Sequence, residues 1–243
     1  MIDIVFLDAG ETILRPHPSF EELFSATAGA RGYKITSREV SDVRERIAPH
    51  LVDLAAEDDD SEPVVTARGT SVSATESRSF WTHLYGSFLD ELGIVDDALA
   101  GALYEVFSSA ASYKLYDDVL PALHDITAAG HRLGLISNFE RWLEDMLVEL
   151  EVGGVFDVAV ISGIEGVEKP DPGIYELALE RAGADAAAAV HVGDSVGLDI
   201  EPAGAVGMHT VLLDRAGRYT SVAVPAGATI ASLGELPDIL DRL

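Results

Sequence analysis

Four short stretches of the chain carry side chains suited to chemistry on an anionic group. Asp8 is followed by Gly10, Glu11 and Thr12; Ser137-Asn138 joins a hydroxyl to an amide; Lys169 precedes Pro170-Asp171-Pro172; and Gly193-Asp194-Ser195 runs on to Asp199. A carboxylate can act as nucleophile, and a hydroxyl with backbone N–H groups can hold oxygens. A lysine can neutralise charge, and further carboxylates can hold a hard cation. Singly, each stretch is commonplace. An acid at a strand end is usually a turn or a cap, Ser-Asn often caps a helix, and a lysine before proline suits a surface loop. Their meaning depends on whether the fold brings them together.

The surrounding pattern says that it does. Residues 2–7 form an apolar run that delivers Asp8 at its carboxyl end, as a buried strand would. From Val119 onward, strands alternate with amphipathic helices. Strands are expected at Arg132–Ile136, Val158–Ile161, Val190–Val192 and His209–Leu213. Helices are expected over Val119–Ala129, from Phe139 to about Leu150 with Gly153-Gly154 ending it, from Pro172 to about Ala182, and over Leu198–Val206. Such alternation implies an α/β fold, a Rossmann-like parallel sheet with helices on both faces. Ligands of such sheets bind beyond the carboxyl ends of the strands, which is where Asp8, Ser137 and Asp194 fall. Between Ser19 and about Tyr113 the apolar spacing is helical, as in Val40, Val43, Ile47, Leu51 and Leu54, and reads as an inserted all-helical domain of four helices. Glu57 to Ser79, acidic and rich in Ser and Thr, reads as an exposed loop within it. The expected division is therefore 1–15 with 114–243 for the α/β core, and 16–113 for the insert.

Composition narrows the partners. Across 243 residues there are 42 Asp and Glu against 16 Lys and Arg, a formal charge of −26. Lys34, Lys114 and Lys169 are the only lysines, so no basic stripe can form for nucleic acid or an anionic membrane. Without cysteine there is no thiol nucleophile, thiolate metal site or disulfide. No run of roughly 20 apolar residues is available to span a bilayer, and Met1–Val5 lacks the basic start of a signal peptide. A cytoplasmic protein acting on a small molecule is expected.

Asp8-Ala9-Gly10-Glu11-Thr12, Ser137-Asn138, Lys169-Pro170 and Gly193-Asp194-Ser195 with Asp199 resemble, in order, the four motifs of the haloacid dehalogenase (HAD) superfamily. The helical insert resembles its C1 cap. Ile136–Phe139, Lys169–Pro172 and Ala205–His209 look closest to the branch called haloacid dehalogenase-like hydrolase domain-containing protein three. The resemblance implies Asp8 as a nucleophile that forms a covalent aspartyl intermediate. It implies Mg²⁺ held by the Asp8 carboxylate, the Gly10 carbonyl and the Asp194 carboxylate, with Asp199 behind them or as a supplementary contact. Ser137 and the backbone N–H of Asn138 would bind phosphoryl oxygens, Lys169 would neutralise charge on them and on Asp8, and Thr12 would fix the turn by bonding to backbone.

One position departs from that pattern. Phosphatases of the superfamily carry a second Asp two residues beyond the nucleophile as general acid, and here that position is Gly10, whose carbonyl survives but whose side chain is absent. Loss of a positioned acid is worth on the order of 10²–10⁴ in rate. Glu11, His17 and His83 are the nearby groups that could stand in. Three readings follow: a Mg²⁺-dependent phosphatase of small phosphorylated metabolites, favouring leaving groups that need little protonation; a 2-haloacid dehalogenase-like hydrolase, with Arg15, Arg31, Arg44 or Arg78 for the substrate carboxylate; or a non-catalytic binding module. Retention of Asp194 and Asp199 favours the first, since halide departure needs no metal cage. His191, Trp81 and Trp142 read as packing residues.

Scarce lysine and acids spread along the whole chain favour adaptation to high salt over a merely solvated acidic surface. Self-repulsion at −26 is screened over about 3 Å at 1 M salt, so the melting temperature should rise from low to molar KCl. A flat or falling melting temperature contradicts the halophilic reading.

Overall fold

The computed structural model describes residues 1–53, 71–219 and 225–243. Contacts divide the chain into two compact units, Met1–Arg15 with Leu115–Leu243, and Pro16–Lys114. The chain crosses between them twice, through β2 (Leu14–Pro16) and β3 (Tyr113–Leu115), which pair as a two-stranded ribbon.

The first unit is built on a six-stranded sheet. Its strands are β1 (Ile4–Leu7), β4 (Arg132–Ser137), β5 (Val158–Ile161), β6 (Ala189–Gly193), β7 (His209–Leu213) and β8 (Ala228–Ile230), in the order β5-β4-β1-β6-β7-β8. Every pairing is parallel. β1, β6 and β7 are buried at almost every residue, as expected of strands covered on both faces. Ile4, Phe6, Ile136, Val158 and Val160 join one apolar cluster with Ile174, Tyr175 and Ala178 of α8 (Pro172–Ala182). The pleat turns Leu133 and Leu135 the other way, and α5 (Val119–Ala128) also packs on β4. Because β4, β1 and β6 are adjacent and parallel, Ser137, Asp8 and Asp194 emerge at one sheet edge.

The second unit holds α1 (Phe20–Ala30), α2 (Ser37–Asp53), α3 (Ala74–Glu91) and α4 (Asp97–Phe107). Ser19, Ser73 and Asp96 cap three of them through side-chain oxygens. Phe24, Val40, Val43, Phe88, Leu99, Leu103 and Phe107 form their own core, with Phe20 stacked on Phe107 at 4.8 Å. No described helix is long and apolar enough to cross a membrane.

Several expectations are corrected. The loop expected to reach Ser79 ends at Ser73, because Ser73 and Glu76 form a capping pair: the Ser73 hydroxyl accepts from the Glu76 N–H at 3.3 Å and donates to its carboxylate at 2.7 Å. Much of the rest of that expected loop lies outside the described residues. The helix expected from Phe139 begins only at Trp142 and ends at Glu149, forming α6, because Phe139 is held in the loop by Ser162 and Glu151 turns left-handed at φ 63°. The helix expected over Leu198–Val206 is present and includes α9 (Glu201–Ala205), whereas the short helices α7 (Ser162–Glu165) and α10 (Leu236–Leu240) carry too few residues for a periodic signal, as does β8. A π-helical turn at Val196–Ile200 precedes α9 and carries Asp199.

Asp118, just before α5, ties two segments, at Arg215 and at Ser232-Leu233, to the turn that follows Asp8. Its carboxylate accepts Arg215 at 2.8 and 3.0 Å, the Ser232 hydroxyl at 2.7 Å and the Leu233 N–H at 2.9 Å. Arg215 then donates to the Thr12 carbonyl at 2.9 Å. Burial works to raise the Asp118 carboxyl, and these partners outweigh it and hold the group below its usual range. Asp118→Ala strands a half-buried guanidinium and should destabilise the protein by about 2–4 kcal/mol in urea denaturation. A change within about 0.5 kcal/mol, the range of ordinary surface substitutions, contradicts this role.

Candidate active site

Lys169 lies at the centre of the strand-end cluster. Its ammonium is 2.7 Å from Asp8 Oδ1 and 2.6 Å from Asp199 Oδ1, and its side chain is 3% exposed, so neither interaction is shared with bulk water. Burial works to lower the Lys169 ammonium, but Asp199 and Asp8 overcome it and hold the group charged. Asn138 fixes the lysine from behind. Its side-chain amide donates to the Lys169 carbonyl at 2.8 Å and accepts the Lys169 N–H at 2.7 Å. The Ser137 hydroxyl donates to Asp8 Oδ1 at 3.3 Å. Burial pushes the Asp8 carboxyl up, against the pull of Lys169.

Asp199 is a fully engaged carboxylate. Oδ1 also meets His191 Nε2 at 3.0 Å, and Oδ2 accepts the Ser195 N–H at 3.0 Å. Burial alone would raise it; Lys169 and His191 instead hold it below the usual range. Its approach beneath the strand end requires Gly193, since a Cβ there would overlap the Asp199 carboxyl. His191 lies fully buried on β6, its ring edge-on to Tyr175 at 5.4 Å, and Tyr175 donates its hydroxyl to the Leu198 carbonyl within the turn that carries Asp199. The packing role expected for His191 is therefore combined with a bond to the site.

Asp194 stands on the open side. Arg218 donates to its Oδ2 at 2.8 Å and to its carbonyl at 3.2 Å. The loop carrying Arg218 is pinned by Asp214, whose carboxylate accepts the N–H groups of Arg218 and Tyr219 at 2.8 and 2.9 Å. Burial, then Asp8 and Asp199, push the Asp194 carboxyl up to about 7, with Arg218 opposing. Ligand oxygens of Asp8, Asp194 and Asp199 all lie within 4.8 Å of one another. Asp8 Oδ2 and Asp194 Oδ1 accept no hydrogen bond from the described residues, whereas both oxygens of Asp199 do. Carboxylates this close, of which Asp8 and Asp194 each keep one oxygen free of hydrogen bonds from the described residues, fit a divalent cation such as Mg²⁺, with Asp199 bonded to Lys169.

The remaining expected residues are placed differently. Thr12 does not fix its turn through the hydroxyl: Oγ1 is buried without a partner among the described residues, and the Thr12 carbonyl meets Arg215 instead. The turn is held by backbone bonds from Ile13 and Leu14 to the Ala9 carbonyl, at 2.9 and 2.8 Å. Gly10 has ordinary φ, and a Cβ on it would meet only Phe139 Cε2, at 3.7 Å. Glu11 is left-handed at φ 56°, and its carboxylate accepts the Tyr116 hydroxyl at 2.7 Å. Burial and this bond hold the Tyr116 hydroxyl protonated to high pH. His17 and His83 belong to the second unit. Of the arginines considered for a carboxylate, Arg44 and Arg78 pair with Glu21 and Glu105 at 3.0 and 2.7 Å, and Arg15 lies over the Tyr116 ring at 5.6 Å. Trp142 is half-buried edge-on to Phe139 at 4.9 Å, and Trp81 is partly exposed beside Tyr85. Arg218 was not among the residues that sequence alone singled out, although its place soon after a strand end is the signal that identified the others.

Comparison with known proteins bears on the family and the fold. The family model for haloacid dehalogenase-like hydrolases matches residues 2–207. The chain is 35% identical to "Haloacid dehalogenase-like hydrolase domain-containing protein 3" of Danio rerio, over 67% of this chain and 69% of that protein. It is 38% identical to "Glyceraldehyde 3-phosphate phosphatase" of Methanopyrus kandleri, over 45% of this chain and 47% of that one. Among solved structures, Bacillus subtilis YfnB bound to magnesium superposes with a TM-score of 0.77 at 16% identity, covering 99% of both chains. With the parallel sheet and its strand-end carboxylates already in place, these matches make the chain a member of the haloacid dehalogenase-like hydrolase family.

Proposed function

We propose that this hydrolase is a Mg²⁺-dependent phosphatase of small phosphorylated molecules, working through an aspartyl-phosphate on Asp8. The observation that carries the reading is the convergence of Asp8, Asp194 and Asp199 within 4.8 Å around a buried lysine. Displacement of halide from carbon needs no such set of carboxylates. The phosphatase name of the Methanopyrus kandleri relative points the same way. Asp8, Asp194 and the Gly10 carbonyl would hold the cation, which when bound neutralises and polarises the phosphoryl oxygens.

The chain's own groups account for the remainder. Asp8 attacks phosphorus, and the leaving-group oxygen departs with the bonding pair. Lys169 and the Ser137 hydroxyl, each already on Asp8 Oδ1, hold that carboxylate in place and offer hydrogen bonds to the transferring oxygens. Water then attacks phosphorus, the bond to Asp8 breaks, and the proton lost by water leaves with inorganic phosphate. The helical unit, Pro16–Lys114, is inserted in the chain between the first and second motifs, where the superfamily's C1 cap stands.

Asp8→Asn should abolish Mg²⁺-dependent release of phosphate while leaving the melting temperature within a few degrees of the parent. Turnover retained in the folded variant, or turnover of the parent unchanged by EDTA, contradicts the mechanism. A second test concerns Gly10, where a Cβ is accommodated. Gly10→Asp should raise turnover of alkyl phosphates toward the 10²–10⁴ range of general acid catalysis and change p-nitrophenyl phosphate far less. Equal effects on both substrates mean that a missing acid is not limiting.

A further inference from the structure

Of the three clustered carboxylates, Asp194 is the most sparsely held. Asp8 Oδ1 accepts from both Lys169 and Ser137, and Asp199 engages Lys169, His191 and the Ser195 N–H. The Asp194 carboxylate has one partner among the described residues. Arg218 Nη2 donates to its Oδ2 at 2.8 Å, and the same nitrogen donates to the Asp194 carbonyl at 3.2 Å. A single guanidinium nitrogen thus ties the carboxylate to its own backbone and fixes the side-chain torsions between them. Arg218 is anchored in turn. The pairing of Gly193 with Leu212 carries the loops after β6 and β7 out together. Asp214, buried just after β7, accepts the N–H groups of Arg218 and Tyr219 at 2.8 and 2.9 Å and donates its own N–H to the Ile230 carbonyl at 2.8 Å.

We propose, resting on the phosphatase reading and its metal site, that Arg218 is a positioning residue: it fixes the orientation of Asp194 and so sets the affinity of the site for a divalent cation. Removing the guanidinium has two opposed consequences. A positive charge is lost beside the carboxylates, which favours a cation. The anchor is also lost, which lets Asp194 rotate away from the orientation that offers an oxygen to the cluster. Magnitudes decide between them. The Arg218 side chain is 52% exposed, so water screens its charge, and an ion pair of that kind shifts an equilibrium by at most about fivefold. A hydrogen-bond partner that orients a metal-ligating carboxylate is worth about 10–100-fold in metal affinity. With no second partner on the Asp194 side chain among the described residues, the anchor prevails.

Calorimetric titration of the full chain with Mg²⁺ alone reads this affinity without turnover. Arg218→Ala should weaken Mg²⁺ binding by about 10–100-fold, while the melting temperature of the metal-free protein stays within a few degrees of the parent. Arg218→Lys, which keeps a charge and a donor, should recover part of the loss. The ratio of parent to Arg218→Ala affinities should persist in 1 M KCl, where charges are screened over about 3 Å, because an anchor acts by contact and a counter-charge does not. Unchanged or tighter Mg²⁺ binding by Arg218→Ala, or a difference that vanishes in 1 M KCl, overturns the positioning role while the phosphatase reading stands. If the parent binds no Mg²⁺ and shows no Asp8-dependent turnover, the phosphatase reading fails and the positioning role with it.

Discussion

The buried ammonium of Lys169, held between the carboxylates of Asp8 and Asp199 at 2.7 and 2.6 Å, is the interaction on which the site depends. Three carboxylates within 4.8 Å of one another repel strongly in a medium of low dielectric. One lysine placed between two of them, and Arg218 on the third, oppose that repulsion, while burial and the neighbouring carboxylates still push the Asp194 carboxyl up to about 7. Removing the lysine from this buried cluster would cost about 3–5 kcal/mol, because both carboxylates are left without compensation. Removing the Asp8 charge, by contrast, leaves Lys169 paired with Asp199. The same lysine that stabilises the cluster therefore also opposes the burial that pushes the Asp8 carboxyl up.

Much of the surrounding structure serves to hold that lysine and its partners. Asn138 grips the Lys169 backbone through two hydrogen bonds, so the loop after β4 and the loop before α8 are one assembly at the site. Gly193 makes room for Asp199, and His191, itself braced by the Tyr175 ring, fills the space beneath. On the far side, Asp118 and Arg215 connect the turn after Asp8 to the C-terminal segment. These contacts are hydrogen-bonded and largely withdrawn from water, which gives the reacting groups fixed positions before any substrate arrives.

The sheet and the main site residues were legible in the sequence for a physical reason. A parallel sheet buried on both faces must alternate apolar strands with helices, and its strands can end in polar residues only where the chain leaves the core. Asp8, Ser137 and Asp194 are such residues. His191 was not legible as part of the site, because a histidine inside an apolar strand looks like packing until the turn carrying Asp199 is folded beneath it. Arg218 was missed because it reaches Asp194 through a loop whose shape is set by Asp214, a contact across 24 residues. Thr12 was misjudged in the opposite sense: the turn after Asp8 is closed by backbone bonds to the Ala9 carbonyl and needs no hydroxyl. Ser73-x-x-Glu76 was readable as a cap but lay in a stretch whose Ser and Thr content suggested a loop.

The central claim is that Asp8, as positioned by Lys169 and Ser137, becomes covalently phosphorylated. Acid quench of the Mg²⁺-loaded protein during turnover of an aryl phosphate, followed by proteolysis and mass spectrometry, tests it most directly. The account predicts a phosphoryl group on the peptide that contains Asp8, formed and lost at the rate of turnover, with label from heavy-oxygen water appearing in phosphate and not in the Asp8 carboxylate. Turnover without an adduct on that peptide, or label entering Asp8 itself, would contradict it.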